Sequence, residues 1–168
     1  MDDSGKEWGD VQQGRLFGHP LHPMLVAYPI AFYTATLVAY AVYQAGGGVF
    51  WFRVGIVANL AGLITAALAA LPGFVDWFLG IPGGTAAKTI GFRHMILNDV
   101  ALALFVANAA INTGRWGAAS PNAVAGIVLA ALGLACTVAA GFYGWSLIQD
   151  YHVGIAERAA DAPATHGD

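Results

Sequence analysis

The 168 residues are 58% hydrophobic and only 10% charged, with a mean hydropathy of +0.62 and a net charge of −3. A soluble domain carries about 25% charged residues, and a chain this short has too little interior to hide so much apolar surface, so lipid must be the solvent for part of it. Small net charge with scattered basic residues argues against a nucleic-acid surface, and a single cysteine, Cys136, excludes an internal disulfide and sets aside a thiolate metal site.

Residues 1–17 read as a polar, glycine-containing tail, and their opening, Met1-Asp2-Asp3-Ser4-Gly5-Lys6-Glu7, lacks the basic start of a cleavable signal peptide. Gly18-His19-Pro20-Leu21-His22-Pro23 comes next. Proline fixes its own φ and pushes the preceding residue out of the helical region. His19 and His22 are therefore expected in a stiff segment that turns into a helix at Pro23, a good first helical position. No charge occurs from Met24 to Phe52, which predicts a span over about 23–44 ahead of Gly46-Gly47-Gly48. Pro29 should bend that span and release a carbonyl. A second span over 53–75 closes on Leu71-Pro72-Gly73-Phe74-Val75-Asp76-Trp77, where a breaker pair meets an interfacial indole.

Beyond the loop Gly80-Ile81-Pro82-Gly83-Gly84, the third span is expected to start at Arg93-His94 and run over 93–113. It is the most polar of the four, with Asn98, Asp99, Asn108 and Asn112. Ser120 and Pro121 supply a cap and first turn for a fourth span over 121–149. Gly126, Gly133, Gly141 and Gly144 in that span let helix backbones approach closely in lipid. Residues 157–168 read as a disordered tail, leaving 18–156 as the membrane domain. Short connections predict an all-α integral membrane protein, a four-transmembrane-helix up-down bundle. No strand and no internal repeat stands out.

Topology then sorts the polar residues. With the N-terminus on what we term the near side, His19, His22, Asp76, His94, Asn98, Asp99, Asp150 and His152 all fall on that side. The far side keeps Arg53, Arg115 and turn residues. Four of the five histidines thus gather at one end. A helix N-terminus disfavours imidazolium, and neutral imidazole is the form that binds metals. His22 and His94 are read as such positions. His94 and Asn98 share a helical face. Asp76, Asp99 and Asp150 are candidates to orient the rings, since a ligating histidine usually donates its second nitrogen to a carboxylate or carbonyl. The plainer reading of any one of these histidines is an interfacial polar residue. Convergence of four favours His19, His22, His94 and His152 as ligands of a cofactor or metal. Ion pairing with Lys88 or Arg93 is the plainer role for Asp76 and Asp99.

At these residues the chain resembles a family of bacterial membrane proteins catalogued as domain of unknown function twenty-two thirty-one. The resemblance lies in His-Pro-x-His-Pro at His19–Pro23 with Met24, Leu25, Val26 and Pro29, in Gly73, Asp76 and Trp77, and in Arg93, His94 and Asn98. His152-Val153-Gly154-Ile155 matches the family's terminal motif loosely, and Gly144-Trp145-Ser146-Leu147-Ile148 stands where Gly-Trp-Leu-Gly-Gly is common. It covers about residues 15–156. Some relatives are joined to Rieske or cytochrome-like modules, which implies a redox setting and a redox partner protein or larger complex.

Three functions compete. The first is electron transfer through a b-type haem held by the histidine cluster, with His94 and either His22 or His152 as axial pair and Gly141 and Gly144 beside the ring. The second is a Zn, Cu or Fe site made by His19, His22, His94 and His152. The third is a membrane subunit without a cofactor that anchors a partner. All three describe a carrier or subunit more than a stand-alone enzyme. Arg15, Lys88, Arg93 and Arg158 flank the near side, so the positive-inside rule places both termini in the cytoplasm of a bacterial inner membrane.

Overall fold

The computed structural model describes residues 15–16, 19–118 and 121–153. The expected tails lie outside these residues except for Arg15 and Leu16, and so does Ser120. The first regular feature is a short antiparallel pair, β1 (Arg15–Leu16) with β2 (His19–Pro20), in which Leu16 lies opposite His19. The other main regular elements among the described residues are α-helices: α1 (Leu21–Leu25), α2 (Ala27–Gln44), α3 (Val49–Val75), α4 (Ala86–Asn112) and α5 (Val124–Gln149). Among the described residues, α1 with α2, α3, α4 and α5 give four helical units long and apolar enough to cross a membrane.

The break between α1 and α2 has a local cause. Pro29 has no N–H to offer the carbonyl of Leu25, and the helix parts at Val26 while the flanking Val26–His22 and Ile30–Val26 bonds survive. Pro72 behaves differently. Instead of ending α3 it sits inside it, and the helix continues into a π-helical turn over Asp76–Gly80. The loosened carbonyls of that turn are met from α4. Lys88 donates through Nζ to the carbonyls of Trp77 and Phe78, and the indole of Trp77 returns a bond to the Lys88 carbonyl at 3.1 Å.

The third span begins earlier than the sequence suggests. Thr85 caps α4 by accepting from Lys88 N–H at 3.1 Å, so the helix starts at Ala86. His94 consequently lies about two turns inside and is not a helix N-terminus. α5 starts at Val124, where the Asn122 side chain accepts from the Val124 N–H.

In the bundle α2 packs on α3 and α4 on α5, with lesser contacts of α2 with α5 and α3 with α4. This order puts α2 and α4 on one diagonal. Fully buried Tyr40, Phe52 and Phe105 fill the interior with Thr36, Asn59, Asn108 and Asn112. The buried amides meet main-chain acceptors: Asn59 donates to the Phe105 carbonyl, Asn108 to Gly126 and Asn112 to Asn108. Large apolar side chains such as Ile64, Leu71, Phe142 and Trp145 point outward, the arrangement expected where lipid replaces water.

Candidate functional site: a facing histidine pair

Two of the four expected histidines meet. His22 comes from α1 and His94 from α4, and their rings stand edge to face with centres 6.0 Å apart and planes at 86°. Each is fixed by its Nδ1. That of His22 is 2.8 Å from the carbonyl oxygen of Ala69, and that of His94 is 2.8 Å from the carbonyl of Ala140. A carbonyl only accepts, so both Nδ1 atoms carry hydrogen. In the neutral rings Nε2 then holds the lone pair, the tautomer a ligating histidine needs.

Glycine makes this approach possible. A Cβ on Gly73 would lie 2.5 Å from His22 Nδ1, and one on Gly144 would lie 3.1 Å from His94 Cε1. Each glycine is one turn beyond the carbonyl that binds the ring, hence on the same helical face. Gly144 therefore makes room for the imidazole itself, and exposed Gly141 meets nothing within 4 Å. His94 is set back from the helix ends: Ala140, which binds it, precedes the end of α5 at Gln149 by about 13 Å at 1.5 Å per residue, and His22 reaches it from the first turn of α1.

Asn98 lies where the sequence puts it, one turn after His94. Its Nδ2 donates to the His94 carbonyl at 2.9 Å and stands 3.1 Å from His94 Nε2. The other expected residues are elsewhere. His152 is exposed beyond α5 with a positive φ of 53°, Asp99 is exposed on α4, and Asp150 is exposed and accepts from Ser146 Oγ. Asp76 opens the π turn, half-buried. The His19 side chain lies outside the described residues. For both ring donors the partner is a main-chain carbonyl, a role the sequence had offered to carboxylates. Among the described residues no three His, Cys, Asp or Glu gather closely enough to hold a metal ion. Ala69 and Ala140 escaped the sequence reading, and Gly73 was read only as a breaker and a family-motif residue; the only signal for the carbonyls was a glycine four residues after each alanine.

Comparison with known proteins matches residues 18–157 to the family described as "Predicted membrane protein (DUF2231)". The chain belongs to this family of membrane proteins, and its four apolar helices agree. Neither the curated proteins nor the solved structures give a match.

Proposed function

We propose that the protein is a membrane electron carrier in which His22 and His94 would hold one b-type haem. The observation that carries this reading is the facing pair, with both Nδ1 atoms already committed to carbonyls. A haem iron takes one or two protein ligands, so two imidazoles would suffice for it, whereas a bare zinc site takes three or four protein ligands. Each ring would offer its Nε2 to the iron, because its Nδ1 is held by a carbonyl.

Bound there, haem supplies a one-electron couple whose potential answers to its ligands and to burial. The chain's own contributions are distinct. The Ala69 and Ala140 carbonyls orient the rings and raise the basicity of Nε2. Gly73 and Gly144 admit the rings, and the apolar bundle keeps water away from them. The partner is a redox protein of Rieske or cytochrome type or a larger complex of the bacterial inner membrane, approached from the cytoplasm under the positive-inside assignment.

Absorption spectra of detergent-purified protein, oxidised and reduced, test the proposal. A Soret band that shifts on reduction and disappears in His22→Ala and His94→Ala is the expected result. No Soret band together with stoichiometric Zn, Cu or Fe on elemental analysis replaces haem by a bare ion. No cofactor at all, with partner assembly intact in both variants, leaves the anchor function. A C-terminal reporter active in the periplasm would reverse the orientation.

A further inference from the structure

The two histidines are only one of several matched contacts. His22 rests on Gly73 and binds Ala69; His94 rests on Gly144 and binds Ala140. Deeper in the bundle, the Tyr33 ring lies where a Cβ on Gly62 would be, at 2.6 Å, and the Phe105 ring lies against Gly133 at 2.6 Å. Deeper again, Tyr40 covers Gly55, and a Cβ built on Gly126 would meet Asn112 Nδ2 at 3.1 Å as well as the Tyr40 ring at 3.0 Å. Along the chain the intervals coincide. Tyr33 and Tyr40 follow His22 as Phe105 and Asn112 follow His94, and Gly62 and Gly73 follow Gly55 as Gly133 and Gly144 follow Gly126. Gly55-Ile56-Val57 and Gly62-Leu63 reappear as Gly126-Ile127-Val128 and Gly133-Leu134.

The packing obeys the same rule. α2 pairs with α3 as α4 pairs with α5, and the cross contacts α2 with α5 and α3 with α4 exchange under the same operation. Equivalent helices run in the same direction, so the relating axis is parallel to the bundle. Across it His22 faces His94 and Tyr33 stacks on Phe105. We infer that the chain is one helical hairpin duplicated in tandem, and that the histidine site lies on the axis between the copies, a single group taking one equivalent imidazole from each. The shared site rests on the haem reading; the duplication does not. The sequence conceals the repeat because it is carried by three glycines and a few rings per copy. The filler between them is the Ala, Leu, Val and Ile that any span contains, and Thr36 and Tyr40 are matched by Asn108 and Asn112.

Pulsed electron paramagnetic resonance on the full chain, in a Cys136→Ala background, tests the duplication without any cofactor. Spin labels go through cysteine substitution onto Val38, Val57, Ala110 and Val128, all exposed. The distance 38–57 should equal 110–128, and 38–128 should equal 57–110. A mismatch in either comparison beyond about 5 Å, the radius of a helix with its side chains, would overturn the duplication. Haem titration reads the shared site, with label distances confirming that each variant is folded. One haem per chain, lost alike in His22→Ala and His94→Ala, is expected. Two haems per chain, or retention in one variant alone, defeats the shared site and leaves the duplication standing. Matching distances in the labelled chain with both histidines intact, together with no haem uptake by that chain, reject the haem reading alone.

Discussion

Tyr33 and Phe105 stack face to face across the middle of the bundle, with ring centres 3.5 Å apart and planes 4° from parallel. Both are buried, and the pair packs with Ala130, Leu37 and Leu134. This contact spans the diagonal on which α1 and α2 face α4, where His22 and His94 also meet, so it helps to set how far apart the imidazoles stand.

Two substitutions separate the stack from the hydroxyl upon it. Phe105→Ala opens a cavity, at a cost of about 3–5 kcal/mol on the scale of soluble cores. Tyr33→Phe removes a hydroxyl that is buried and has no hydrogen-bond partner among the described residues, so stability should hold or rise, because an unpaired buried polar group is itself a cost of about 1–3 kcal/mol. Thermal unfolding in detergent checks both. A Tyr33→Phe midpoint as low as that of Phe105→Ala would show that the hydroxyl is needed.

The glycines under the histidines should respond unequally to alanine. Alanine gains up to about 1 kcal/mol of helix propensity over glycine, which sets a baseline in favour of both substitutions. At Gly73 the new methyl would lie 2.5 Å from His22 Nδ1, so the ring must leave the Ala69 carbonyl. At Gly144 the nearest ring atom is 3.1 Å away, within reach of a small shift. Gly73→Ala should displace His22 and cost a net 1 kcal/mol or so, while Gly144→Ala should be near neutral. Imidazole nitrogen shifts in NMR spectra of the labelled protein, read beside thermal midpoints, report both. Equal, negligible effects would mean that the rings do not rest on these glycines.

The four spans were legible in the sequence because uncharged runs of this length leave no other solvent but lipid. So was the meeting of His22, His94 and Asn98, since helix direction alone brings their ends together. Depth was not. Topology says which end of the bundle a residue occupies and not its level along the axis, so His152, exposed beyond α5, had the same standing as His94. The start of α4 was hidden by Lys88, whose charge set it with the loop ahead of the expected span. Lys88 is absorbed by the Trp77 and Phe78 carbonyls and by the Trp77 ring, 4.1 Å from its Nζ. The carbonyls that hold the imidazoles belong to two alanines among many, and main-chain atoms leave no mark in residue type.

Lys88 should therefore matter to the π turn more than an exposed lysine would. Lys88→Met keeps the stem and removes the charge from above the Trp77 ring, losing a cation–π contact and charged hydrogen bonds together worth about 2–3 kcal/mol. Asp76–Gly80 should loosen, and the Trp77 indole should become more mobile. A faster hydrogen exchange confined to residues 76–80, with the rest of α3 still protected, is the expected outcome. Unchanged exchange there would show that the turn holds without the lysine.

In the interior, Asn108 donates to the Gly126 carbonyl at 2.8 Å and accepts from Asn112 at 2.8 Å. Hydrogen bonds between membrane helices are worth about 0.6 kcal/mol on average and up to about 1.7. Asn108→Ala loses the link from α4 to α5 and one acceptor of Asn112, so about 1–2 kcal/mol is expected. Asn112→Ala leaves the bond from Asn108 to Gly126 in place and should cost less. Detergent unfolding of the two variants side by side gives the order, and the reverse order would contradict the geometry.

Asn98 is the residue on which the site can be tuned. Its amide stands 3.1 Å from His94 Nε2, the lone pair that a ligand would need, while the His94 carbonyl offers the same amide a second acceptor at 2.9 Å. Under the haem reading, this amide would compete with ligation in the cofactor-free protein. The competing bond is worth about 0.5–1.5 kcal/mol. Asn98→Ala removes it without adding bulk, so haem affinity should rise roughly 2- to 10-fold. Asn98→Leu keeps the bulk and offers Nε2 no donor, and its effect should be smaller and steric in origin. Titration of the cofactor-free protein with haem, followed at the Soret band, measures both variants against wild type. A tenfold loss in Asn98→Ala would reverse the assignment, making Asn98 a support of the bound state in place of a competitor for His94.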